Sequence, residues 1–555
     1  MSGQGERDDI IRLSRFRASL ARPRGTRRME VLLESADPAA AVAALPLPEF
    51  YFLVKEVGLA DAGELVALAA PEQLRGCLDM EIWDRDRLQL DAAVPWLLAI
   101  EEAGFEKLAQ VWERLDPELA ALFLARTTRI YDHTLEEAPD EDEERPMIST
   151  PDTFFTVVIT AEREDEVRLI YQIIEDLYRA DMVLARHTLM TAHSELPAEL
   201  EEMSYRWRAG RMSDLGYVDF HEALEVFRPL DPDAIRIGEG TAEPAPPALD
   251  HPGGELAAGG LPAPVVEPMS GTFLALTLAE VSDAAEAERL EAALLYLVNR
   301  VLSASRVPPG DEEAVRQASR AAAATASLGL EHVCAGRLER ASAALATISL
   351  TRLHRLGHSL TLRLARMARL LAPRAVTAGE PTHAVLEALA GPRPLFAGAL
   401  DQPPAAGARP FGSVADLRRA AEHLTELATR IALADALGVD LLAVAEVPEP
   451  RPELDDHVRT ALARLLAGGE LDAAPLAPAE LDALVVQLST SGSLSRESRR
   501  RAETALADLA ARQHIAVPPA ILSPLTDGWL DELEAVFRSK RSLGAAGVIT
   551  SRQKT

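Results

Sequence analysis

Two histidines four residues apart form the first arrangement in this 555-residue chain that could do chemistry. His354 and His358, in HRLGHSL, fall on one face of a helix, where two imidazoles can hold a metal ion. The zinc-protease form of this spacing needs a glutamate after the first histidine. Arg355 stands there instead, and its cation opposes a metal. His332 and Cys334, in EHVCAG, are further ligand candidates. A closed zinc site wants four ligands, so helix packing is the favoured reading of the pair. A second constellation is Asp219, His221 and Glu222, three groups able to exchange protons. They end a stretch dense in arginine and aromatic residues. Trp207, Leu215, Tyr217, Phe220 and Phe227 read first as a packed corner, because aromatics bury large areas. The next reading is a partner-binding patch through Trp207, Arg208, Arg211 and Tyr217, since Trp, Tyr and Arg anchor interfaces. A third candidate is the basic arm at the N-terminus, with Arg12, Arg15, Arg17, Arg22, Arg24, Arg27 and Arg28. Ile10, Leu13, Phe16 and Leu20 share one helical face of it. Such an arm can lie on an anionic membrane, on nucleic acid or on the protein's own acidic surface, and self-docking or disorder is favoured.

Other catalytic signatures are missing. No phosphate-cradling loop with its lysine occurs; Gly253-Gly254 and Gly259-Gly260 sit in Pro/Ala-rich text. The run Ser489 to Ser493 reads as a turn. Cys77 and Cys334 read as small buried apolar residues. No catalytic residue, metal or cofactor is assigned from the sequence.

The elements that must position these residues are helical. Ala, Leu, Arg and Glu dominate the periodic segments and lose little rotamer freedom on a helix. Asp37-Pro38, Pro71-Glu72 and Asp116-Pro117-Glu118 each precede apolar residues at helical spacing, which predicts helix starts. The prolines are 33 and 46 residues apart, so the repeat is irregular. The predicted fold is mainly α and multi-domain, with stacked short helices and short strands near 154–160 and 272–278. Thr272-Phe273 parallels Thr153-Phe154, and both segments precede an apolar helix, which suggests a strand-then-helix duplication.

Composition shifts divide the chain into a basic arm (1–28), a helical-repeat domain (29–134), an acidic linker (135–149) and a strand–helix domain (150–237). A Pro/Gly/Ala linker (238–268), a second strand–helix and helical domain (269–372), a loop (373–412), a C-terminal helical domain (413–537) and a tail (538–555) follow. The net charge is −30, which argues against a general nucleic-acid coat and leaves only the arm for such contacts. Two cysteines cannot build a disulfide framework, which fits reducing cytosol. No run of about 18 uncharged apolar residues occurs, so no integral membrane segment is expected.

The stretches LARPRGTRRMEVLLESADPAAAVAALP, LRGCLDMEIWDRDRL and RMSDLGYVDFHEALEVFRPLDP resemble a bacterial family known as a domain of unknown function, over the chain to about residue 440. That likeness implies no activity. The repeats of 29–135 resemble, more weakly, the helical intracellular domain of MgtE-type magnesium transporters and flagellar motor-switch helices. This implies stacked short helices presenting a surface, and no ion ligand carries over. The leading expectation is a cytoplasmic helical scaffold or regulatory protein that binds another protein. The alternatives are an enzyme centred on His221 or on His354 and His358, and a nucleic-acid- or membrane-surface factor using the arm.

Overall fold

In the computed structural model, proline opens helices of the N-terminal region where the sequence predicts. The structure describes residues 24–84, 86–137, 145–238, 265, 267–307, 309, 311–448, 451–491, 494–539 and 542–551. Arg12, Arg15, Arg17 and Arg22, residues 138–144 of the acidic linker, 239–264 of the Pro/Gly/Ala linker with its glycine pairs, and Gly492-Ser493 lie outside the described residues. The chain divides into two units, Met1–Gly357 and His358–Thr555.

The first unit begins with α1 (Gly25–Leu33), α2 (Pro38–Ala43), α3 (Leu47–Val57), α4 (Gly63–Leu68) and α5 (Pro71–Glu81). A two-residue pair, β1 (Trp83–Asp84) and β2 (Arg87–Leu88), leads to α6 (Leu90–Glu102), α7 (Phe105–Arg114) and α8 (Pro117–Thr127). Asp37 caps α2 by accepting from the Ala40 N–H at 3.0 Å. At α5 the cap is Gln73, whose Oε1 accepts from the Ala70 N–H at 2.8 Å. The same buried amide donates to the Val42 and Leu45 carbonyls at 3.1 and 2.7 Å, tying the start of α5 to the end of α2. Alternate helices are neighbours: α1, α3, α5 and α7 form one row, and α2, α4 and α6 a second. This two-row stacking is the irregular helical repeat, in which each helix buries its apolar stripe on the rows beside it.

The strand expected near 154–160 is β5 (Phe155–Ile159), buried at every residue. It is the centre of a three-stranded antiparallel sheet, between β3 (Thr128–Asp132) and β4 (Met147–Ser149). Then come α9 (Glu164–Ala180), α10 (Met182–Ser194) and α11 (Pro197–Asp214). On α9 the inner face holds Leu169, Ile170, Ile173, Ile174, Leu177 and Tyr178. Tyr171, next to Ile170, is exposed.

The strand expected near 272–278 is a helix. After the short α12 (Phe220–Ala223), α13 spans Phe273–Glu280. Thr272 is its cap, accepting from the Ala275 N–H at 3.1 Å, and the residues that follow are mostly Leu and Ala. Val157, Val158 and Ile159 have no counterpart there, and β-branching is what favours the strand. The two Thr-Phe segments therefore lie in unlike structures, and the duplication fails. Next are α14 (Ala284–Ser305), α15 (Glu312–Cys334), α16 (Ala341–Thr347) and α17 (Leu350–Leu371), within which the division between units falls. Gly329 of α15 and Gly357 of α17 let the backbones meet: a Cβ on Gly357 would overlap the Thr325 carbonyl, and one on Gly329 the Leu353 carbonyl.

In the second unit, residues 373–412 are more ordered than a loop. They hold α18 (Glu380–Ala390) and a small hairpin, β6 (Phe396–Ala397) paired with β7 (Ala408–Arg409). The expected C-terminal helices follow as α19 (Val414–Ala436), α20 (Leu441–Ala445), α21 (Leu454–Leu466), α22 (Pro478–Ser491), α23 (Arg496–Arg512), α24 (Pro519–Ser523) and α25 (Trp529–Arg538). Ser495 caps α23 through the Ser498 N–H at 3.1 Å. Trp529 anchors this unit's core, its indole N–H donating to the Ala546 carbonyl at 2.8 Å.

Candidate functional site

The arginine–aromatic segment forms α11, and its two faces do different things. Arg211 reaches inward as a fork. Its Nε and Nη2 donate to Asp79 at 2.7 and 2.9 Å, and its Nη1 and Nη2 to Asp116 at 2.8 and 2.7 Å. Bidentate pairing of this kind suits the planar guanidinium. Burial raises the Asp79 carboxyl above the ordinary range, and the Arg211 charge and hydrogen bonds oppose that rise. Asp116 stands just before Pro117 but makes no side-chain cap of α8, because Arg211 holds its carboxylate. Arg208 donates to the Asp79 carbonyl at 2.7 Å and lies over the Trp83 ring, 5.6 Å from its centre. Lower on α11, Glu201 accepts from the Leu88 N–H at 2.9 Å and pairs with Arg126.

The other face of α11 looks outward. Trp207 is 53% exposed and Met203, one turn earlier, 37%. Arg206 beside them pairs with Glu202. Tyr217 lies past the end of the helix, half-buried against the core. Gly216, at φ +88°, makes that turn possible, since a Cβ there would meet Tyr296. Arg208 and Arg211 are thus brought together on Asp79, Trp207, one turn before Arg211, keeps half its surface exposed, and Tyr217 stands apart.

Asp219, His221 and Glu222 form no acid–base cluster. The Asp219 carboxylate caps α12 through the His221 N–H at 2.8 Å, and both His221 and Glu222 are exposed. His354 is 1% exposed, with Nδ1 3.1 Å from the Val226 carbonyl and Phe227 edge-on at 5.4 Å. His358 is buried, and burial with the nearby Arg393 charge pushes it down to about 4. Cys334 is buried, which raises its thiol. Among the described residues no group of three or more His, Cys, Asp or Glu is gathered to hold a metal ion. At the end of the arm, Arg28 pairs with the buried Glu49, while Arg24 and Arg27 are exposed.

A cavity in the second unit was not foreseen. It measures about 230 Å³. Its floor is one stripe of α19: His423, Glu426, Leu427 and Arg430, at positions i, i+3, i+4 and i+7. One end is the first turn of α18, where Thr382 Oγ1 lies 3.2 Å from His423 Nε2. The other end is the first turn of α21, where Arg430 Nη1 lies 3.3 Å from Asp455 Oδ2. Thr377 joins the two ends, its carbonyl accepting from the Leu454 N–H at 3.0 Å. Burial lowers the His423 imidazole, Arg430 lowers it further and Glu426 opposes. Thr377 is 7% exposed, and its hydroxyl has no hydrogen-bond partner among the described residues. Nor do Arg430 Nε or Asp455 Oδ1. No sequence signal marked it, since His423, Glu426 and Arg430 lie among many other polar residues of α19.

No helix among the described residues is long and apolar enough to cross a membrane. A family model described as a family of unknown function, DUF6178, matches residues 6–542, which carries the likeness about a hundred residues past the point where sequence reading placed its end. No curated protein and no solved structure matches the chain.

Proposed function

We propose that this chain, which belongs to the DUF6178 family of unknown function, is a helical protein-interaction protein whose first unit presents the outer face of α11 to another protein. The observation that carries this reading is the division of labour on one helix. Glu201, Arg208 and Arg211 grip β2, α5 and α8, while Trp207 and Met203 are left outward on the rigid mount they make. A preorganised aromatic with a neighbouring methionine is the composition of an interface centre, because tryptophan buries much area at small entropic cost and methionine adapts its shape to an apolar contact. Arg208, Arg211 and Tyr217 then support the surface from behind. A chain of net charge −30 favours a partner whose contact has an apolar centre and a basic rim. The two thiols, Cys77 and Cys334, are free and buried, which supports a reducing, cytoplasmic setting.

The test is affinity capture from the source cells with the full chain and with a Trp207→Ala, Met203→Ala chain of unchanged circular dichroism. The expected result is a partner recovered by the first, released by salt and lost with the second. Recovery of the same proteins by both chains would refute the reading.

A further inference from the structure

We infer that Glu101 and Asp176 form a site for a hard divalent cation between α6 and α9 of the first unit. The placement follows from how these helices pack. Each carries an apolar stripe into the core, Val94 and Leu97 on α6, Leu169 and Ile173 on α9. The next residue of each stripe is a carboxylate: Glu101 four residues after Leu97, and Asp176 three after Ile173. The two helices are in contact, and charge acts between them at two levels, Asp91 on Glu166 and Asp176 on Glu101. Both pairs are 75 residues apart in the chain, so α6 and α9 run parallel and in register. Glu101 and Asp176 therefore meet near the C-terminal ends of both helices, where the helix dipole disfavours a carboxylate.

Asp176 is itself the independent sign of a ligand. It is 4% exposed, yet its carboxylate makes no hydrogen bond and no ion pair among the described residues. A buried carboxylate is ordinarily paired or hydrogen-bonded. The Trp83 and Trp112 indole nitrogens are unbonded and sealed from solvent, whereas the Asp176 oxygens keep a contact with it. Glu101 is half-buried and also has no ion pair among the described residues. Burial raises its carboxyl above the ordinary range, the Asp176 charge adds to the rise, and Arg168 opposes it. Arg168 is exposed and forms no ion pair among the described residues. Arg179, one turn after Asp176, lies over the Phe105 ring at 4.0 Å, and Lys107 on α7 donates to the Ala69 carbonyl at 2.7 Å. A narrow opening onto two carboxylates admits a small ion more readily than a guanidinium fork. Two oxygen ligands are too few for a closed cage, but a hard ion of magnesium type binds through one or two carboxylates and keeps water in its other positions. The pair contains no histidine or cysteine to favour a softer metal.

Thermal unfolding of the full chain, stripped with EDTA, tests the site in MgCl2 or CaCl2 against KCl of equal ionic strength. The KCl arm accounts for the general screening felt by a chain of net charge −30. At about 10 mM, at least one of the two divalent ions is expected to raise Tm by roughly 2–4 °C, as for a dissociation constant of about 1 mM. Asp176→Asn and Glu101→Gln each remove one ligand and are expected to lose most of that rise. A Tm that does not move beyond the KCl arm overturns the site, and so does a rise that both variants keep. The rival arrangement is a proton shared by the two carboxylates. It gives a stability that rises as pH falls, with no effect of either ion, and that result also overturns the proposal. Glu101 is the less buried of the two, so Glu101→Gln carries the comparison if Asp176→Asn does not fold. The outcome is independent of the α11 surface.

Discussion

Replacing Arg211 by methionine removes a guanidinium that serves two carboxylates and leaves its packing stem largely intact. Asp79 has a side chain only 3% exposed and Asp116 one 12% exposed, so both lose a partner where water reaches them poorly. Breaking a buried pair from one side costs about 3–5 kcal/mol, because the remaining charge is stranded. Arg211 keeps 25% of its own side chain exposed, which places the expected loss near the low end, about 3 kcal/mol. For a unit of this size that corresponds to a fall in Tm of roughly 4 °C. The loss must also depend on pH. Burial already raises the Asp79 carboxyl, and removing Arg211 raises it further. A raised folded-state acid binds more protons than the unfolded chain, so stability falls as pH rises above the unfolded carboxylate value. The deficit of Arg211→Met is therefore smallest near pH 4 and grows toward pH 8. Urea unfolding across that range measures it. Adding Asp79→Asn and Asp116→Asn should recover half or more of the deficit, since amides need no counter-charge. A deficit below about 1 kcal/mol, or one unchanged in the Asn background, refutes the claim that this fork holds α11 to α5 and α8.

Gly357→Ala forces a Cβ into the Thr325 carbonyl at the α15–α17 crossing, and a loss of about 1–3 kcal/mol or more in urea unfolding is expected; a neutral substitution would show that the helices do not meet there. His358, pushed down to about 4 by burial, lowers stability as pH falls from about 6.5 to 4 and leaves it unaffected above that window. His358→Gln should flatten that decline, and an unchanged slope would place the titrating group elsewhere. Thr272→Ala removes the α13 cap and should cost about 0.5–2 kcal/mol, whereas a strand at this position would lose little. Trp207→Ala should change stability by less than about 0.5 kcal/mol, as fits an outward side chain.

Helix existence was legible because propensity and pattern agreed along most of the chain. Pro38, Pro71 and Pro117 each open a helix, since proline costs nothing where the N–H is already unpaired. What lay beside those prolines was harder to read. Asp37 caps its helix as local chemistry suggests, but Asp116 does not, because Arg211 competes for it from 95 residues away. The same limit applied to the Thr-Phe segments. A threonine followed by an apolar run starts a strand when the run is β-branched, as at Val157 to Ile159, and caps a helix when it is Leu and Ala, as at Leu274 to Ala279. The distinction was present in residue type, and the shared Thr-Phe opening outweighed it.

The α11 surface and the α19 cavity resist sequence reading to different degrees. At α11 the arginines and the tryptophan attract notice by type, and only the fold reveals that Arg208 and Arg211 are bonded within the chain while Trp207 is left exposed. Arg211 looks like an interface residue because a guanidinium fork suits a partner's carboxylate as well as its own chain's. At α19 no residue type is unusual, and the information lies in where three segments end. His423 and Arg430 each meet the first turn of a different helix, and the segments supplying those turns, α18 and α21, are about seventy residues apart in the chain. A stripe of His, Glu and Arg at i, i+3 and i+7 would ordinarily face water. Here two helix starts cover it, so a stripe that reads as a solvated face is enclosed by the fold.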